Sequence, residues 1–108
     1  LAGGKLTRPW GTETKRATTD RYNKSMYENT GDRDVVEAVE AVAKARKTSM
    51  AQVAMAWVLQ KPVVTSPIVG VSKMSHLEDA IAAVDFELTG DDVKALEAPY
   101  KSLHVAGF

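Results

Sequence analysis

The residues best suited to bind a ligand follow an apolar run in the second half of the sequence. The run Pro62–Val69 is followed by Gly70 and the pair Ser72-Lys73, and a helical pattern begins directly afterwards. A strand, a glycine turn and a helix start offer backbone N–H groups to a phosphate, and Lys73 would add a cation. The spacing predicts an anion site at this turn. The alternatives are that Lys73 is a solvated residue and that Ser72 only caps the helix.

The remaining reactive side chains do not form a second site by their spacing. His76 follows Ser72 by four residues, but no acid orients the pair, so a nucleophilic dyad is not predicted. His76 and His104 are too far apart in sequence to suggest a metal site. The sequence has no cysteine, which excludes disulfides and thiolate chemistry.

Composition indicates a soluble globular protein of 108 residues, with 44% hydrophobic and 26% charged residues. The formal net charge is zero, so no nucleic-acid partner is expected. No apolar run approaches the roughly 20 residues of a membrane span, and no signal peptide is seen. We therefore expect a cytoplasmic protein. Because the chain starts at Leu1 without a methionine, we also expect a piece of a longer protein.

The first third of the chain contains few periodic patterns. Leu1–Thr7 reads as the end of a strand running into a turn, in which Gly3 and Gly4 permit positive φ. Arg8–Thr30 reads as a long loop with one helical turn within Asp20–Tyr27. Loops of this length are usually functional or disordered.

Two helices are predicted in the middle of the chain. Asp32 would cap the first, Arg33–Arg46, and Ser49 with Gln52 forms a Ser-x-x-Gln capping box for the second, Met50–Gln60. The first helix has an apolar stripe at helical spacing, Val35, Val39, Val42 and Ala43. The second has little polar face, so we expect it to be buried on most sides.

A strand and a third helix are predicted next. Val63–Val69 is β-branched and does not alternate, which suits a parallel strand buried on both faces. The third helix, about Met74–Val84, would be capped by Ser72 or would begin with a capping box at Ser75. Its predicted apolar stripe is Leu77, Ala80, Ile81 and Val84.

A last helix, Gly90–Ala98, is predicted after the cap residue Thr89. The order of elements implies a parallel sheet, but one full strand and a stub cannot bury themselves. The strand Val63–Val69 therefore requires another part of a longer protein, or another chain, as its partner. We expect these 108 residues alone to fold poorly and to lack catalysis.

Several segments together resemble the C-terminal third of an aldo-keto reductase, nearest to the fungal aryl-alcohol-dehydrogenase-like branch. The matching segments are Leu1–Leu6, Thr14–Asp20, Met50–Leu59, Ser66–Lys73 and Leu96–Tyr100. The resemblance implies an α/β fold, with residues 1–108 as the C-terminal part of a single (β/α)8 TIM-barrel domain. As it stands the piece would be mostly helical, with a stub of strand seven, strand eight at Val63–Val69, and an extra C-terminal helix.

The resemblance also implies an NADP site. Leu1, Ala2 and Gly3 match a loop that passes along the cofactor pyrophosphate, and Arg16 matches an arginine that can fold over the cofactor. Arg16 is equally well explained as an ordinary loop arginine. The family often has Asn after its adenine-side acid, and here that position is Ala80, which leaves the adenine contacts in doubt.

At the predicted anion site, the resemblance assigns the adenosine phosphate of the cofactor. Gly70 and Ser72 match the family's Gly-x-Ser, and Lys73 matches a position that is basic in many NADPH-preferring members. His76 and Asp79 match two further cofactor-side positions. For His76 and Asp79 the alternative is an ordinary place on the surface of a helix.

The implied activity is NADPH-dependent reduction of aldehydes or ketones to alcohols by the parent protein, on a small-molecule carbonyl substrate. The family's catalytic Asp, Tyr, Lys and His come from the first four strands, so no catalytic residue is assigned here. Tyr22, Tyr27 and Tyr100 lie in loop or tail positions and are not assigned that role. The alternative is a non-catalytic segment that senses a cofactor or binds another protein through its helices.

Overall fold

The structure, a computed structural model, describes residues 1–12 and 30–102. These residues form a short 3-10 segment, Ala2–Thr7, with non-helical angles at Gly3 and Gly4, followed by four α-helices: α1 (Thr30–Arg46), α2 (Met50–Leu59), α3 (Met74–Val84) and α4 (Gly90–Glu97). No strand is present in these two ranges. The predicted helical turn in Asp20–Tyr27 lies outside the described residues.

Helices α1 and α2 supply most of the core. Of the predicted α1 stripe, Val39, Val42 and Ala43 are buried, and Val36 joins them. α1 begins at Thr30, so Asp32 lies in its first turn instead of capping it. The core cluster also includes residues of α2 and two from the C-terminal part: Met50, Val53, Ala56, Leu88 and Leu96. The prediction that α2 is buried on most sides is confirmed, because five of its residues are buried.

Two predicted helix caps are present. Ser49 accepts a hydrogen bond from the Gln52 backbone N–H at 3.1 Å, which is half of the predicted capping box. The other half is missing because the Gln52 side chain bonds elsewhere. At α4 the box is complete: Thr89 accepts from the Asp92 N–H at 3.2 Å, and Asp92 accepts from the Thr89 N–H at 3.0 Å.

Helix α4 is joined to the end of α1 by Arg46. Its guanidinium makes an ion pair with Asp92 and donates to the Glu87 carbonyl at 3.0 Å. The same group lies 4.8 Å from the centroid of the Phe86 ring, a favourable cation–π distance. These contacts fix the segment before α4 against the core.

Helix α3 has the predicted bounds, but the face of the helix that is buried differs from the predicted one. The large members of its apolar stripe point to solvent; Ile81 is 62% exposed and Val84 69%. Only Ala83 is fully buried. α3 packs against α2, and a close helix contact favours small residues, so the larger side chains remain uncovered. Neither Ser72 nor Ser75 caps α3: the N-cap is Lys73, without a side-chain cap bond.

The predicted strand Val63–Val69 is not a strand in the structure. The segment is irregular, with Val63 89% exposed and Ile68 fully exposed. A β-strand exists through hydrogen bonds to a neighbouring strand, and the described residues contain no such neighbour. The predicted strand end at Leu1–Thr7 is likewise a 3-10 helix.

Candidate functional site

The predicted anion site lies at the N-terminal turn of α3, where its residues are together and open to solvent. Gly70, Ser72, Lys73 and His76 are all exposed. Lys73 is the N-cap residue with extended backbone angles, and its side chain makes no cap hydrogen bond to the helix. A helix start attracts anions through its free N–H groups and its dipole. With Lys73 beside it, this turn is chemically suited to a phosphate.

The His76 ring closes back on the same turn. Its Nδ1 atom accepts a hydrogen bond from the Ser72 backbone N–H at 3.4 Å. In the neutral ring the proton is then on Nε2. A phosphate that used the Ser72 N–H would take the place of this long bond, while Nε2–H would remain available as a donor.

The second predicted group, Leu1, Ala2 and Gly3, forms a tight backbone turn. Ala2 and Gly3 have positive φ values of 53° and 62°, and the Gly4 N–H donates to the Leu1 carbonyl at 3.0 Å. Gly3 and Gly4, which were predicted to permit positive φ, have φ values of 62° and 87°. The turn packs against α1 and α2, and α3 also packs against α2. In the described ranges, no hydrogen bond joins this turn to the α3 site, and the two groups have α2 as a common support.

Asp79 lies apart from the exposed turn, on the face of α3 that meets α2. Its Oδ1 atom accepts hydrogen bonds from Ser49 Oγ at 3.0 Å and from Gln52 Nε2 at 3.1 Å. The sequence identified Ser49 and Gln52 only as a helix start. Because the Gln52 side chain is not used in a capping box, it is free to reach across to α3.

Arg16, the remaining predicted cofactor residue, lies outside the described residues, as do Tyr22, Tyr27 and His104. In the described ranges, no cluster of three His, Cys, Asp or Glu residues could hold a metal ion. No helix there is both long and apolar enough to cross a membrane.

A cavity of about 700 Å³ was not predicted from the sequence. It is mainly apolar and opens between the N-terminal turn, α1, α2 and α4, with Trp57, Tyr100 and Glu97 among its lining residues. Trp57 Nε1 donates to Glu97 at 3.1 Å, and Lys61 pairs with Glu97 while lying 4.4 Å from the Trp57 ring centroid. The hydrogen bond from Lys61, and then that from Trp57, lowers the pKa of Glu97 below its usual value.

A family model for the aldo/keto reductases matches residues 1–101. The chain belongs to the aldo/keto reductase family. Membership of this family implies a (β/α)8 barrel, and the helical structure of residues 1–12 and 30–102, without strands, fits a fragment of such a barrel.

Among curated reductases and dehydrogenases, the matches confirm the predicted fungal branch. A Schizosaccharomyces pombe protein named "Putative aryl-alcohol dehydrogenase C977.14c" is 41% identical over 99% of this chain and 30% of its own length. Versiconal hemiacetal acetate reductase of Aspergillus parasiticus is 36% identical over 96% of this chain and 32% of its own length. No solved structure matches the chain significantly. The chain therefore spans about a third of the length of these aldo/keto reductase relatives.

Proposed function

We propose that the parent protein is an NADP-dependent aldo-keto reductase that reduces small aldehydes or ketones to alcohols. Residues 1–108 would be the C-terminal part of its single barrel domain. The family match over residues 1–101 and the reductase and dehydrogenase names of its relatives support this proposal. A cytoplasmic location without a nucleic-acid or membrane partner stays a prediction from composition.

Within that enzyme, this segment would hold the adenosine-phosphate half of the cofactor. The observation that carries the proposal is the open N-terminal turn of α3, with Lys73 as its N-cap residue. Ser72 and Gly70 would present backbone N–H groups, and His76 would add a donor at the rim. NADPH would supply the hydride of the reaction, and these residues would only bind and orient its phosphate.

The backbone turn at the start of the chain would bind the pyrophosphate part of the cofactor. Leu1, Ala2 and Gly3 would pass along the pyrophosphate through their backbone, and Arg16 would fold over it. Ala2 and Gly3 have positive φ values and a small side chain or none. Both features support a close approach of this backbone to the cofactor.

The catalytic Asp, Tyr, Lys and His would come from the part of the parent outside these residues. The cheapest test is the complete parent sequence. If the parent sequence lacks those four residues, the reductase proposal is wrong. The alternative, a non-catalytic segment that senses a cofactor or binds a protein, would then be favoured. One observation favours a segment that binds a protein: Leu77, Ile81 and Val84 on α3 are exposed. In the reductase, the remainder of the barrel would cover that face and pair with the segment Val63–Val69.

The cofactor site is tested by substituting Lys73 in the full-length protein. Lys73→Ala should raise the dissociation constant for NADPH about threefold to tenfold, because one charge-assisted phosphate contact is lost. The constant for NADH should change little. Lys94→Ala, an exposed lysine on α4, is the matched control. Unchanged NADPH affinity in Lys73→Ala would remove Lys73 from the phosphate site.

A further inference from the structure

We propose that Ser49, Gln52 and Asp79 form a positioning network that holds α3, and through it the Lys73 turn, in place for the cofactor phosphate. This inference rests on the proposed function, because it concerns the same phosphate site. It also gives Asp79 a different role from the cofactor contact that the family resemblance implies.

The network is a continuous set of hydrogen bonds between the start of α2 and the middle of α3. Ser49 Oγ accepts the Gln52 N–H at 3.1 Å and donates its own proton to Asp79 Oδ1 at 3.0 Å. Gln52 Nε2 donates to the same oxygen at 3.1 Å. Gln52 Oε1 accepts from Thr48 Oγ1 at 2.7 Å, which fixes the orientation of the amide. Asp79 Oδ1 therefore receives two donors, each already held by another bond.

No other polar anchor holds α3 in the described ranges. Asp79 is the only residue within Met74–Val84 whose side chain makes a hydrogen bond to another element there. The N-cap residue Lys73 makes no side-chain cap bond, and the large apolar residues of α3 face solvent. Among the described residues, the placement of α3 consequently depends on small-residue packing against α2 and on this one carboxylate.

The distance between Asp79 and the phosphate turn is short enough for a rigid helix to transmit position. Asp79 follows Lys73 by six positions, which corresponds to about 9 Å along a helix. His76, the other residue of the turn on α3, lies three residues, or about one helical turn, before Asp79. Fixing Asp79 against α2 therefore fixes the angle at which the first N–H groups of α3 meet the phosphate.

The test uses the full-length protein and two substitutions at Asp79. Asp79→Asn keeps an Oδ1 acceptor for Ser49 and Gln52 and removes the charge, whereas Asp79→Ala removes the acceptor. We expect Asp79→Ala to raise the dissociation constants for NADPH and for adenosine 2′,5′-bisphosphate about threefold to tenfold. Asp79→Asn should stay close to the unchanged protein. Glu78→Ala, at an exposed position beside it on α3, is the control.

Gln52→Met is the cleaner variant on α2, because Ser49 also caps that helix and its loss would weaken α2 itself. Gln52→Met should raise the same dissociation constants, and its effect should not add fully to that of Asp79→Ala, since both variants remove the Gln52–Asp79 bond. At saturating NADPH, kcat should be unchanged in all these variants. General damage to the fold would instead lower kcat and the thermal midpoint together.

Each outcome decides the proposal. If Asp79→Asn loses as much affinity as Asp79→Ala, the carboxylate contacts the ligand directly and the positioning role is wrong. If Lys73→Ala weakens NADPH binding while Gln52→Met and Asp79→Ala do not, the proposed phosphate site is supported. The proposed positioning role of the network is then wrong. If the network variants weaken binding but Lys73→Ala does not, the link from the network to Lys73 is overturned. If none of them matters, the phosphate site and the network both fail.

Discussion

The side-chain amide of Gln60 pairs with the backbone of Leu88 as one peptide group pairs with another. The Leu88 N–H donates to Gln60 Oε1 at 2.8 Å, and Gln60 Nε2 donates to the Leu88 carbonyl at 3.3 Å. Leu88 is buried in the core between α3 and α4. Gln60, directly after α2, thus satisfies both polar backbone groups of a residue in an irregular segment.

Replacing Gln60 with methionine should destabilise the protein because the Leu88 N–H and carbonyl lose their partners. We expect a loss of about 1–3 kcal/mol in the free energy of unfolding, the cost of leaving buried polar groups unpaired. Urea unfolding of the full-length protein measures it. Glu87→Ala, at an exposed side chain one residue before Leu88, is the control and should change little. An equal loss in both variants would contradict the pairing argument.

Protonation of Asp92 at low pH should lower the stability of the folded protein. The backbone N–H of Thr89 is the main cause that lowers the pKa of Asp92 below its ordinary value of 3.8, and Arg46 adds to it. A lowered folded-state pKa means that the stabilisation is complete above 3.8 and is lost as the pH falls through the lower folded value. Asp92→Asn should therefore flatten the acid limb of the unfolding midpoint against pH. An unchanged acid limb in this variant would refute the assignment.

The titration of Glu97 should be measurable through the fluorescence of Trp57. Hydrogen bonds from Lys61 and Trp57 lower the pKa of Glu97 from its ordinary value of 4.5. Protonation removes the charge that Trp57 Nε1 and Lys61 contact, so the Trp57 emission should change with a midpoint below 4.5. Measured in the full-length protein with every tryptophan other than Trp57 replaced by phenylalanine, the transition should disappear in Glu97→Gln. Its persistence there would assign the titration to another group.

Gly4 should not tolerate a side chain. Its φ is +87°, and a Cβ there would collide with the Arg8 guanidinium, which donates to the Gly4 carbonyl at 2.9 Å. We expect Gly4→Ala to cost about 1–2 kcal/mol in the free energy of unfolding, before any loss of the Arg8 bond. Gly31→Ala is the matched control: it lies in the first turn of α1 with open space around it. That variant should be neutral or gain up to about 1 kcal/mol.

The helices were predictable because their determinants are local. The spacing of Val39, Val42 and Ala43 and the caps at Ser49 and Thr89 lie within a few residues of the structure that they specify. The orientation of α3 was not predictable in this way. Its stripe of large residues indicates a buried face, but which face is buried depends on the neighbours that the surrounding chain provides.

The candidate site shows the same division between local and long-range information. The exposed turn around Lys73 follows from a glycine before a helix start, a local pattern. The partners of Asp79 are Ser49 and Gln52, about 30 residues earlier, and only the packing of α3 on α2 brings them together. The cavity beside Trp57 likewise arises from elements that are distant in sequence.

The segment Val63–Val69 provides the test of the barrel assignment itself. Its β-branched run predicts a buried parallel strand, yet here it is irregular and Val63 and Ile68 are exposed. In a complete barrel, neighbouring strands would pair its backbone and the helices would cover its side chains. Amide hydrogen exchange should therefore be slow across this segment in the full-length protein. In the 108-residue chain alone it should be fast, whereas α2, which is buried here, should be the better protected part. Fast exchange of Val63–Val69 in the full-length protein would rule out its role as strand eight, because no paired and buried strand leaves its amides open to solvent.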